Sequence, residues 1–128
     1  MYHMEPILNV DWVAIIVGAV LAYVLGMMWY SKALFVEKWV EGKGTPVHAW
    51  PMMIPLFTQA AGTLLLSWAL GTAIALGSVA FAALITCAAG ALIKANGLFA
   101  GKNAYAIAVE SMFVLLMGAV MIATHFVF

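Results

Sequence analysis

From Pro51 to Ile93 this chain carries no charged side chain, and a second uncharged stretch runs from Trp12 to Tyr30. A third, from Ala104 to Phe128, is broken only by Glu110. About 20 consecutive apolar residues suffice to cross the hydrocarbon core of a bilayer. Hydrophobic residues make up 67% of the sequence and charged ones 8%, whereas a water-soluble domain exposes about 25% charged residues. The chain is therefore read as a small all-α integral membrane protein, a single membrane domain over 1–128.

Four spans fit the length: Val10–Tyr30, Met52–Ala75, Ser78–Phe99 and Ala104–Val127. The apolar run is continuous between the second and third. As one helix it would be about 60 Å long, twice the hydrocarbon thickness, so a tight hairpin is expected at Leu76-Gly77-Ser78. The turn Gly101-Lys102-Asn103 joins the last two spans. Between the first two, Lys32, Glu37, Lys38 and Glu41 interleave with Leu34, Phe35, Trp39 and Val40. That pattern suits a short interfacial helix over 33–40, with its aromatics in lipid and its charges in water. Pro51 is expected in the first turn of the second span, and Pro55, farther in, to bend it. Asn96-Gly97 reads as a break that shortens the third span.

Every lysine falls on one side of this four-span arrangement: Lys32, Lys38 and Lys43 in the first connection, Lys94 and Lys102 around the third. Cytoplasmic loops collect Lys and Arg. Both lysine-bearing connections are therefore expected in the cytoplasm, with both termini periplasmic or exterior. Trp12 then anchors the outer interface, and Trp29, Tyr30, Trp39 and Trp50 the inner one. No signal peptide is expected, since Glu5 and Asp11 stand where one would carry basic residues.

The lone Cys87 allows no intrachain disulfide, and a formal net charge of zero without a basic block points away from nucleic acid. No zinc spacing, nucleophile–base pair, phosphate loop or haem motif is present, so neither a cofactor nor an enzymatic activity is expected. Gly18, Ala22 and Gly26 recur at every fourth position, and Ala83, Cys87 and Ala91 repeat the spacing. Small-residue faces let helices approach closely in lipid. Besides the membrane lipids, the expected partners are a second copy of the chain or a larger membrane protein.

Glu110 lies six positions into the fourth span, about 9 Å along it. A carboxylate at that depth must be neutralised, paired or water-facing. Lys94, Gln59, Asn96 and Asn103 fall at comparable levels on neighbouring spans and are expected to join it in one polar cluster. Two readings follow: a structural Glu110–Lys94 pair, or a site for an ion, proton or polar substrate in an oligomeric transporter or channel. Acid–base chemistry by Lys94 and Glu110 on a lipid is a third, and lacks a nucleophile. Met117, Met121 and His125 share one face of the fourth span with Glu110. Their soft and imidazole donors suit copper, while methionine is also an ordinary core filler. His3 and His48 lie elsewhere.

Gly26-Met27-Met28-Trp29-Tyr30-Ser31, followed by Leu34-Phe35 and Lys38-Trp39, resembles the signature of an uncharacterised bacterial membrane family, the domain of unknown function numbered 1761. The family pattern reads Gly-x-x-Trp-Tyr-Ser-Pro and then Leu-Phe-Gly-x-x-Trp, so Lys32 replaces Pro and Val36 replaces Gly here. The late stretch Asn103–Met121 shares the likeness. The resemblance implies a four-span protein of the inner membrane and brings no activity with it.

Overall fold

A computed structural model describes residues 5–30, 41, 51 and 53–128. Among these residues there are five helices and no strand: α1 (Glu5–Leu8), α2 (Trp12–Trp29), α3 (Met53–Ala75), α4 (Val79–Phe99) and α5 (Ala104–Val127). The last four are each long and apolar enough to cross a membrane. The expected interfacial helix over 33–40, with Trp39 and Trp50, lies outside the described residues.

Local sequence explains both short connections. Gly77 (φ +92°) and Gly101 (φ +74°) occupy left-handed backbone, where a Cβ is strained. Each closes a Schellman motif. Gly77 N–H donates to Ile74 O and Ser78 N–H to Ala73 O; Gly101 N–H donates to Leu98 O and Lys102 N–H to Gly97 O. The six-to-one and five-to-two bonds satisfy carbonyls that the helix end leaves without partners. The next helix starts immediately. Ser78 Oγ accepts from Phe81 N at 2.9 Å, and Asn103 Oδ1 accepts from Ala106 N at 2.9 Å. Asp11 caps α2 in the same way, through Ala14 N at 3.1 Å.

Two expectations are corrected. Asn96-Gly97 does not break α4, which continues to Phe99. Gly97 is buried there because a methyl on it would lie 2.8 Å from Ile107; it is a contact point between helices. Pro51 precedes α3, and Pro55 occupies its first turn, where the missing N–H has no intrahelical partner to lose. Pro55 therefore need not bend the helix.

Helices α3 and α5 both run antiparallel to α2, and so parallel to each other. Ser67 Oγ donates to Ile15 O at 2.7 Å, and Tyr23 OH donates to Leu56 O at 3.4 Å, fixing α3 against α2. Trp29 Nε1 donates to Val109 O and Thr124 Oγ1 to Ala14 O, fixing α5 against α2. Helix α5 packs on α2, α3 and α4, while α2 and α4 occupy opposite corners. The α5 span is 39% buried, against 17–22% for the other three, so α5 is the hub of the bundle. At the N-terminal end, α1 rests on α3. Trp68 Nε1 donates to Ile7 O, and the Trp12 and Trp68 rings meet at 5.2 Å.

The core is made by close approach. The α2 stripe is filled from within the bundle: a methyl on Gly18 would meet Thr124, Met121 and Ser67, and one on Gly26 would meet Phe113. Gly118 lies against Thr86, and Gly90 against Leu115. Outward, large apolar residues such as Val13, Ile16, Val20, Leu84 and Leu92 are exposed, as a lipid-facing surface requires. The lysine pair Lys94 and Lys102 sits at the end where α4 meets α5. Asp11 and the Gly77 hairpin are at the other.

Candidate functional site: a polar cleft at the lysine end

The first half of α3 keeps to α2 through Tyr23 and Leu56 but is otherwise open. Every described residue from Met53 to Gly62 is exposed, and burial on this helix begins at Thr63. Nothing lies within 4 Å of a methyl placed on Gly62. The cause is on α4: Gly90 and Gly97 draw its second half tightly onto α5, while the Gly77 hairpin ties α3 to the first half of α4. The two helices therefore diverge toward the lysine end, leaving a cleft of about 640 Å³ whose floor is α5.

Polar groups converge on this cleft. Lys102 Nζ lies 2.9 and 2.7 Å from the two oxygens of Glu110, with the two side chains 23% and 14% exposed. The ammonium folds back along the first turns of α5 to reach the carboxylate. Gln59 and Thr58 on α3, Asn96 on α4 and Tyr30 at the end of α2 also line the space. Gln59 Nε2 donates to Thr63 Oγ1, whose own hydroxyl donates back to Gln59 O at 2.7 Å. Deeper in, the walls become apolar through Leu66, Ala89, Val114 and Met117.

Of the five polar residues expected together, Glu110, Gln59 and Asn96 share the cleft. Lys94 and Asn103 do not. Glu110 pairs with Lys102, not Lys94. At about 100° per residue, Lys94 stands about 160° around α4 from Asn96, so the two cannot face one cleft; Lys94 is exposed on the far flank. Asn103 uses its side chain to cap α5. The sequence signal for the pairing is Lys102, which stands in a turn yet has a side chain long enough to re-enter the bundle.

The interface anchors also divide. Trp12 is 40% exposed at its helix end. Trp29 points inward: its indole bonds Val109 O at 3.1 Å and its ring lies 6.2 Å from Phe113, which Tyr30 meets edge-on at 5.4 Å. Met117 and Met121 both lie in the apolar core with Leu70 and Ala22, as fillers, and Met117 also borders the cleft. Among the described residues, no three His, Cys, Asp or Glu side chains are grouped to hold a metal ion. Comparison with family models, curated proteins and solved structures finds no match to this chain.

Proposed function

We propose that the protein is a non-enzymatic component of the bacterial inner membrane, a helical-packing module that associates with itself. One observation carries this reading. The small-residue stripe of α2 is filled inside the bundle, but Ala83, Cys87 and Ala91 on α4 keep the same four-residue spacing and are exposed. In lipid such a face gains by close backbone contact with another helix. Two copies inserted in the same orientation and related by a two-fold axis along the membrane normal would place Cys87 beside its counterpart. Membership of the family suggested by Gly26–Ser31, and a topology with the lysine end in the cytoplasm, belong to the same proposal.

Cys87 is its own probe. Oxidation in native membranes is expected to give a disulfide-linked dimer, since bridging requires Cα atoms within about 7 Å. The dimer disappears in Cys87→Ala and weakens in Ala83→Leu, which fills the stripe. Monomer alone after oxidation, and again after amine cross-linking of the same membranes, refutes the reading. A second reading, transport of an ion or small polar substrate, is favoured by the cleft, which brings an intramembrane carboxylate to an open surface. Proteoliposome flux that falls in Glu110→Gln supports it, and flux no higher than in empty vesicles removes it.

A further inference from the structure

The cleft changes character along the bilayer normal. Glu110 and Gln59 each lie six residues into their parallel helices, about 9 Å from the lysine end. Met117 and Leu66 each lie thirteen residues in, about 20 Å deep. Polar groups thus occupy the shallow half and apolar groups the deep half. A lipid of the leaflet nearest the lysine end has the same gradient, with its headgroup shallow and its acyl chains toward the midplane. A water-soluble solute has no use for the deep half. The volume, about 640 Å³, lies within the roughly 300–1,000 Å³ typical of ligand sites, and the open α3–α4 side lets chains continue into the bilayer.

The charges at the shallow end restrict the headgroup. Glu110 already binds a primary ammonium, that of Lys102, through both carboxylate oxygens. Lys102 supplies a cation at the same point. A purely anionic headgroup can engage Lys102 but offers no donor to Glu110 in its place. A zwitterion carrying a primary ammonium and a phosphate complements both members: its ammonium donates to Glu110 while Lys102 turns to the phosphate. A quaternary ammonium has no N–H to donate. We propose that the α3–α4–α5 cleft binds one zwitterionic phospholipid with a primary-amine headgroup, phosphatidylethanolamine by chemical class. This site does not depend on self-association through α4.

Native mass spectrometry of the full chain in detergent tests it, with phosphatidylethanolamine, its N-methyl and N,N-dimethyl forms, phosphatidylcholine and phosphatidylglycerol added at equal concentration. Retention of one lipid per protomer is expected to fall stepwise with methylation. The preference for phosphatidylethanolamine over phosphatidylcholine is expected to be about tenfold, the value of one charge-assisted hydrogen bond. Glu110→Gln should abolish that preference, and Lys102→Met should weaken every phospholipid. Equal retention across the methylation series overturns the proposal without reference to any variant. So does preferential retention of phosphatidylglycerol, or a headgroup preference unchanged in a folded Glu110→Gln protein.

Discussion

Gly118 is the position at which the packing of this bundle is most exposed to test. A methyl group there would lie 2.3 Å from Thr86 Cγ2, 2.5 Å from Thr86 Oγ1 and 2.9 Å from Thr86 Cβ, where ordinary contact between such atoms begins near 3.5 Å. Rotating Thr86 about χ1 moves its γ atoms but leaves Cβ in place. Thr86 is also 5% exposed, and its hydroxyl donates to Ala82 O at 3.0 Å. The remaining relief is to separate α4 from α5, which loosens Gly90 and Gly97 as well. Overpacking of this kind costs about 1–3 kcal/mol. Replacing a mid-helix glycine by alanine returns roughly 0.5–1 kcal/mol. Because Thr86 cannot clear the clash by rotation, the cost is taken at the upper end of that range, and the expected net loss for Gly118→Ala is about 2 kcal/mol, read as a lowered midpoint in detergent unfolding. Gly62→Ala meets nothing within 4 Å and should be neutral or slightly stabilising. Adding Thr86→Ala, which deletes both γ atoms, should recover much of the Gly118→Ala loss. If Gly118→Ala unfolds with Gly62→Ala, or if Thr86→Ala adds to the damage, the close-contact account of the α4–α5 interface is wrong.

The Lys102–Glu110 pair should show coupling: Lys102→Met takes the ammonium from both carboxylate oxygens of Glu110 and should cost up to about 3 kcal/mol, and Lys102→Met with Glu110→Gln should be milder than Lys102→Met alone. Lys94→Met, on the far flank of α4, should stay within about 0.5 kcal/mol of wild type; a Lys94 effect equal to that of Lys102 contradicts the pairing. Ser67→Ala removes the bond to Ile15 O and should cost about 0.6 kcal/mol, the average for such contacts in membranes, with a loss above about 2 kcal/mol pointing to a role beyond that bond. In a Cys87→Ala background, Leu76→Cys should react in intact cells with a membrane-impermeant thiol reagent and Ala100→Cys should not; the opposite pattern inverts the proposed topology.

Much of the polar cleft could be read from the sequence, though not its pairing. Glu110, Gln59 and Asn96 stand out by depth alone, because polar residues are conspicuous in apolar spans and depth follows from residue number. Lys94 shares that depth yet lies outside the cleft, since depth says nothing about azimuth. Its two-residue separation from Asn96 already set the pair on opposite sides of a helix. Lys102 stands in a turn, outside the spans, but its side chain folds back along the helix that follows.

The sequence by itself determined the number of spans, the two tight hairpins and the side on which Lys94 and Lys102 gather. These depend on local causes: the length needed to cross lipid, a glycine in left-handed backbone after α3 and after α4, and a Ser or Asn cap just beyond each. Only the tertiary structure decided the central position of α5, the burial of the α2 stripe, the exposure of the α4 stripe and the opening between α3 and α4. The reason lies in the solvent. In water, the apolar face of a helix marks the side that turns inward, whereas lipid accepts apolar residues on every side. Helix rotation is then left to steric fit, set here by glycines against Thr86, Ile107 and Phe113, and those contacts exist only once the helices have met.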